Sequence, residues 1–332
     1  MQDFLGKAKA IVVGHAVGDA LGVPVEFRSR RHLDANPITE MIGYGSYKVP
    51  KGSWSDDTSM SLCALEAVAA DRVDFERTMQ NFSKWLFTGE FTPTGKVFDV
   101  GNTCREAISN FAQHGLPYDK CGLSDEYSNG NGSLMRIHPI VLAKLYGEND
   151  GADLYADISE VRTASALTHA HPRSRLACII YYFVLRELVK APCKQSIVNG
   201  LKNAKLFYEQ CSDGAKEKPG KDYNYFTAER SELGAYERLF DGIEKLSREE
   251  VQSDGYVVHT LEASIWCLLT TDSYEECVLK AVNLGHDTDT IGAIAGGLAG
   301  ALYGYDAIPL EWRNTLIKRE YIEELCDRAF GK

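Results

Sequence analysis

Two short acidic motifs carry the most readable chemistry in this sequence. Gly52-Ser53-Trp54-Ser55-Asp56-Asp57-Thr58 runs into an apolar helical periodicity, and Gly285-His286-Asp287-Thr288-Asp289-Thr290 opens a second helix made of small residues. Ser and Asp at a helix start cap free N–H groups and suit the positive end of the helix dipole, so either motif alone has a structural explanation. One capping residue suffices, whereas each motif adds a hydroxyl to a carboxylate pair. Brought together, the motifs supply four carboxylates and at least two hydroxyls. Like charges within a few ångströms raise one another's pKa, and the group takes up protons unless cations compensate it. A metal site resolves that conflict. The donors are all oxygen, with no cysteine and only His286 nearby, which favours hard ions such as Mg²⁺ or Mn²⁺ over Zn²⁺ or Cu²⁺. The supply of carboxylates suggests two ions rather than one.

Four further segments are candidates for chemistry. In Gly14-His15-Ala16-Val17-Gly18-Asp19-Ala20-Leu21-Gly22-Val23-Pro24-Val25-Glu26, helical spacing puts Gly14, Gly18 and Gly22 on one face, and Pro24 ends the helix by residue 23. Glu26 then projects from a loop, where taken alone it reads as an ordinary solvated glutamate. Ser128-Asn129-Gly130-Asn131-Gly132-Ser133-Leu134-Met135-Arg136 is a small-residue loop able to offer backbone N–H groups to a phosphate. Its spacing is not that of a nucleoside-triphosphate P-loop, and taken alone it reads better as a plain turn. Phe98-Asp99-Val100-Gly101-Asn102-Thr103 is the next, and Leu167-Thr168-His169-Ala170-His171-Pro172 the last. Histidines two apart point to different helix faces, so joint ligation of one zinc is disfavoured and surface or substrate-contacting roles are expected.

The elements that must position these groups are mostly helical. Apolar residues recur at helical spacing, and alternating strand-like runs are hard to find. Helices are predicted over roughly 4–21, 58–70, 74–87, 101–113, 138–146, 154–168, 173–190, 194–209, 229–246, 257–269, 274–283, 289–303 and 309–328, with ends uncertain by ~2–4 residues. The polar stretch Ser212 to Asp222 reads as an exposed loop, and no domain boundary is visible, so an all-α single domain over 1–332 is expected. From Ile291 to Gly304, Gly292, Gly296, Gly300 and Gly304 fall four apart and line one helix face. Each helical glycine costs roughly 0.5–1 kcal/mol, an expense that close approach of another backbone offsets.

Composition removes several function classes. The formal net charge of -11, with no Lys/Arg run, offers no general attraction to nucleic acid or anionic lipid. Nine cysteines without C-x-x-C spacing point to reduced thiols and a cytoplasmic setting. No signal-like start is visible, and the apolar stretches are expected to fall short of membrane-spanning length.

With these residues in view, the chain resembles the ADP-ribosylglycohydrolase family, which includes the dinitrogenase-reductase-activating glycohydrolases. The resemblance runs in order through Gly18-Asp19 to Glu26, Ser55-Asp56-Asp57-Thr58, Asp99-Val100-Gly101-Asn102-Thr103, Asn131-Gly132-Ser133-Leu134-Met135-Arg136, Thr168-His169 and Asp287-Thr288-Asp289-Thr290. It implies a compact bundle of many helices around a dinuclear Mg²⁺ or Mn²⁺ site, with Ser55, Asp56, Asp57, Asp287, Asp289 and Thr290 as ligands. Ser55 stands where the family commonly has Thr and keeps the hydroxyl. Glu26 matches a family glutamate implicated in catalysis, and a ligand aspartate, Asp57 or Asp289, is the other candidate proton acceptor. The resemblance also sets Asn131, Gly132 and Ser133 by the diphosphate, with Ser128 and Gly130 of the same loop as further candidate substrate contacts, and Asp99, Gly101, Asn102 and His169 beside the ADP-ribose.

The implied reaction is hydrolysis at the anomeric carbon of an ADP-ribosylated protein or small molecule, through an oxocarbenium-like transition state. Arginine-linked ADP-ribose is the expected substrate; serine-linked, O-acetyl- and poly-ADP-ribose are the alternatives. A haloacid-dehalogenase-type phosphatase is disfavoured, because its D-x-D-x-T motif follows a strand near the start of an α/β domain. A non-enzymatic ADP-ribose binder would be expected to have lost acidic ligands, and none is lost here.

Overall fold

The computed structural model describes residues 2–146, 153–214 and 221–331. Its helices are α1 (Gln2–Gly22), α2 (Arg30–Ala35), α3 (Asp56–Glu66), α4 (Phe75–Thr88), α5 (Asn102–Ala112), α6 (His138–Leu145), α7 (Leu154–Ala166) and α8 (Pro172–Lys190). They continue as α9 (Lys194–Gly214), α10 (Lys221–Ser231), α11 (Glu237–Phe240), α12 (Val257–Leu269), α13 (Tyr274–Val282), α14 (Thr288–Tyr303), α15 (Leu310–Thr315) and α16 (Arg319–Phe330). Among the described residues the only sheet is a two-stranded hairpin, β1 (Val68–Ala69) with β2 (Arg72–Val73), so the fold is all-α as expected.

The architectural centre is the antiparallel pair α1 and α14. The glycine stripes of both helices face each other: a Cβ added to Gly18 would lie 2.0 Å from the Gly292 carbonyl oxygen, and one on Gly22 would lie 2.4 Å from the Asp289 Cα. Only hydrogen at these positions lets the backbones touch. The C-terminal end of α1 therefore meets the N-terminal end of α14, which brings Glu26 to Asp287 and Asp289. By length and composition, Asp3–Val25 could cross a membrane, contrary to the sequence expectation, yet 94% of its apolar window is buried inside the protein. Its apolarity is that of a core helix, buried throughout from Ala10 to Gly22.

Around this pair, Ile179, Ile180, Tyr182 and Leu185 of α8 are buried, with α7, α9 and α12 as neighbours. A separate cluster of Met60, Met79, Phe82, Trp85 and Ile108 binds α3 to α4 and α5. Most predicted helices recur within two or three residues. The predicted helix 229–246 is instead the end of α10, then short 3-10 turns flanking α11; Gly234 and Gly242, the latter at φ +91°, interrupt it. The predicted helix 309–328 breaks between α15 and α16, where Lys318 adopts φ +54° and the Ile317 amide donates to Gly52 O at 3.0 Å. The exposed loop expected at Ser212 to Asp222 is displaced in part by α9, which runs to Gly214, and by α10, which starts at Lys221; residues 215–220 lie outside the described residues.

Candidate active site

Both acidic motifs sit at helix N-termini, and they use them differently. Ser55 caps α3, its Oγ accepting from the Asp57 amide at 3.3 Å and donating to Asp57 Oδ2 at 2.9 Å. Asp287 occupies the N-cap position of α14 without a side-chain capping bond. Its carboxylate accepts instead from Asn131 Nδ2 at 2.6 Å, so simple capping does not explain it.

The two motifs converge because α1 binds both. Asp19 of α1 accepts from the Ser55 amide at 2.9 Å and from the Thr58 amide and hydroxyl at 3.0 and 2.6 Å, fixing the start of α3. After α1, the loop carrying Glu26 pairs with the loop before α14: Phe27 N donates to His286 O and His286 N to Arg28 O, both at 2.7 Å. This pairing demands positive φ at Phe27 (65°) and His286 (64°), and Asp99 nearby has φ 52°. Such conformations cost roughly 1–3 kcal/mol each and persist where surrounding contacts overdetermine them. Arg30 reinforces the junction by donating to the carbonyls of Leu284, Arg248 and Val251 at 3.0, 2.6 and 2.7 Å.

The result is a crowd of buried acids. In two overlapping triads, Asp19–Asp57–Asp289 and Glu26–Asp99–Asp289, carboxylate oxygens lie within 4.8 Å of one another. Asp19 is spent on α3, where it supports the start of the helix that carries Asp56 and Asp57. Three oxygens of this cluster are buried without a hydrogen-bond partner: Glu26 Oε2, Asp57 Oδ1 and Asp289 Oδ2. Buried polar atoms are nearly always satisfied, so three orphans within one carboxylate cluster fit an oxygen-coordinated cation. Burial, then neighbouring carboxylates, pushes Glu26 up to about 9 and holds Asp56, Asp57 and Asp289 well above the usual range. Asp287 and Asp99 are raised chiefly by burial. Positive charge in the cluster would replace the protons these groups otherwise keep.

Above the acids opens a cavity of about 670 Å³, a size that accepts a nucleotide-like ligand. Glu26, Asp56, Asp99 and Asp287 reach its wall, as do Gly101 and Asn102 at the start of α5, and Thr290. From the predicted phosphate loop, Gly130, Asn131 and Gly132 line it. Ser128 and Ser133 do not face it: Ser128 Oγ donates to Asp125 Oδ2 at 2.6 Å, and Ser133 is fully buried against Ser165 and Cys178. Asn131 turns its amide toward Asp287 and Thr260, so its side chain braces the acidic motif at the start of α14. His169 is on the wall, while His171 caps α8, its Nδ1 accepting from the Arg173 amide at 3.2 Å.

Sequence reasoning missed Tyr47, whose phenol helps to hold the pKa values of Glu26 and Asp99 down and whose ring lies tilted 5.0 Å from that of Phe98. It is brought there by Ser46, which donates to Glu26 O at 2.7 Å. A lone tyrosine in a turn carries no pattern that would have singled it out.

A family model described as ADP-ribosylglycohydrolase matches residues 1–332. The ADP-ribosylarginine hydrolase Tri1 of Serratia proteamaculans is 32% identical over 99% of this chain and 80% of its own length. The ADP-ribosyl-[dinitrogen reductase] glycohydrolase of Rhodospirillum rubrum is 30% identical over 93% of this chain and 90% of its own. A solved ADP-ribosylglycohydrolase-related protein complex superposes with TM-score 0.76 at 30% identity, covering 100% of this chain and 99% of that one. The chain belongs to the ADP-ribosylglycohydrolase family.

Proposed function

We propose that this protein, acting as one domain, hydrolyses the bond between ADP-ribose and the guanidinium of an arginine on a modified protein, with two divalent cations, Mg²⁺ or Mn²⁺, as cofactors. The observation that carries this reading is the set of unpartnered, buried carboxylate oxygens of Glu26, Asp57 and Asp289 beneath a nucleotide-sized cavity. Ser55, Asp56, Asp57, Asp287, Asp289 and Thr290 would hold the cations. Bound there, they would supply the positive charge that offsets the carboxylates and draws in the ribose hydroxyls.

The chain's own residues perform the rest. The Gly130–Gly132 segment and His169 receive the diphosphate, while Asp99 and Asn102 border the ribose. Water oxygen bonds to the anomeric carbon as the carbon–nitrogen bond breaks. Glu26 takes the proton that water loses, and the departing guanidine nitrogen regains one. Glu26 and Asp99 on the wall also suit a cationic acceptor, and two relatives whose names specify ADP-ribosylarginine support the same choice.

The test is release of free ADP-ribose from arginine- and serine-ADP-ribosylated peptides, each with Mg²⁺, with Mn²⁺ and with chelator. Metal-dependent release from the arginine peptide is expected. Release from the serine peptide alone would reassign the linkage, and ADP-ribose binding without release from either would make the protein a binder.

A further inference from the structure

His169 ends a buried hydrogen-bond chain that begins at an arginine. Arg136 is fully buried, lies 4.8 Å over the Phe82 ring, and donates through Nη1 to Ala164 O at 3.1 Å and through Nη2 to Thr168 Oγ1 at 2.7 Å. Thr168 Oγ1 in turn lies 2.8 Å from His169 Nδ1.

Donor counting fixes the direction of that last bond. A guanidinium only donates, so the Thr168 hydroxyl accepts from Arg136 and has a single proton to give. The acceptor beside it is His169 Nδ1 at 2.8 Å. The neighbouring Cys104 thiol is itself a donor, to Gly132 O at 3.9 Å. The reverse arrangement would aim two donors at the hydroxyl and give its own proton no acceptor among the described residues. That count leaves Nδ1 unprotonated and puts the ring's proton on Nε2.

The Nε2 edge faces the cavity. A Cβ added to Gly132 would lie 2.8 Å from His169 Cε1 and 3.4 Å from Nε2, and one on Gly130 would lie 3.7 Å from Nε2, so the ring lies along this glycine segment. The His169 main chain is equally fixed, its amide donating to Ser165 O at 2.9 Å and its carbonyl accepting from Ser165 Oγ at 3.1 Å. Burial and the Arg136 charge push the imidazole down to about 3, so it stays neutral at physiological pH.

We infer that Arg136 and Thr168 are positioning residues that lock His169 as the Nε2–H tautomer, and that this N–H donates to a diphosphate oxygen of ADP-ribose. The second half rests on the ADP-ribose reading above; the tautomer does not. Long-range ¹H–¹⁵N correlation spectra of the full chain with Mg²⁺ report the tautomer, with His169→Gln identifying the resonance. The wild type is expected to show protonated Nε2 and unprotonated Nδ1 at pH 7. Thr168→Val should release the tautomer and weaken ADP-ribose binding roughly tenfold, and Thr168→Ser should restore both. A wild-type Nδ1–H or imidazolium form would overturn the lock, even if Thr168→Val failed to fold. Wild-type affinity in a folded Thr168→Val would overturn the donor role. Absence of any ADP-ribose binding by the wild type would sink the wider reading and the donor role together, while the nitrogen spectrum still decides the tautomer.

Discussion

Glu26 is placed among other acids by main-chain bonds rather than by a counter-charge. Without cations its carboxyl, pushed up to about 9, keeps its proton and cannot accept another. In the proposed reaction, bound cations would make it an available base, which would link metal loading to proton transfer at one residue. Glu26→Gln preserves shape and removes the ionisable oxygen. It should lower kcat for arginine-linked peptide by about 10²–10⁴-fold while ADP-ribose still binds, as turnover and calorimetry would report. An unchanged kcat would remove Glu26 from proton transfer. Asp57 and Asp289 each leave one buried oxygen without a partner, so Asp57→Ala combined with Asp289→Ala should abolish release while circular dichroism keeps its helical signal. Residual metal-dependent turnover in that variant would refute their role as ligands.

At the level of elements, the site depends on two helix backbones in contact. Gly18→Ala would drive a methyl to 2.0 Å from Gly292 O, so α1 and α14 must separate. The expected loss is roughly 1–3 kcal/mol in urea unfolding, accompanied by lost activity as Glu26 moves from Asp289. Gly6→Ala in the same helix meets nothing within 4 Å and should instead stabilise by up to about 1 kcal/mol, with activity intact. Equal effects of the two substitutions would show that backbone contact is unimportant. The glycine period was legible in sequence because it is local, as were most helices. That the partner of the Gly292 stripe would be Gly14, Gly18 and Gly22 was not legible, since pairing helices at opposite ends of the chain needs tertiary information. The acid motifs stood out by composition. Tyr47, the support role of Asp19 and the inward turn of Ser133 did not, because each depends on which neighbour the fold delivers. The α15–α16 break was hidden for the same reason: its Ile317–Gly52 bond is long-range.

For the molecule as a whole, the buried titrating groups set opposing pH dependences. Burial pushes His15 and His169 down to about 3, and His138 well below its ordinary value. The unfolded chain binds these protons first, so their contribution to stability is complete above about pH 6.5 and is lost as pH falls toward 3. The acids run the other way. Asp19 is raised by burial to about 7 and Glu26 to about 9, so folding takes up protons there. Their favourable contribution is present below the unfolded carboxylate pKa near 4 and is lost as pH rises through about 7 to 9. A divalent cation bound as proposed would replace those protons and compete with them. The melting temperature with saturating Mn²⁺ minus that with chelator should therefore be small near pH 5 and grow steadily to pH 9. The gain is about 2.7 kcal/mol where free metal is one hundred times its Kd. Asp57→Ala with Asp289→Ala should flatten the difference. A metal-induced shift that stayed constant from pH 5 to 9 in the wild type would separate metal binding from these carboxylates. A shift that rises with pH would tie the charge the fold concentrates at the α1–α14 junction to the cations proposed for the site.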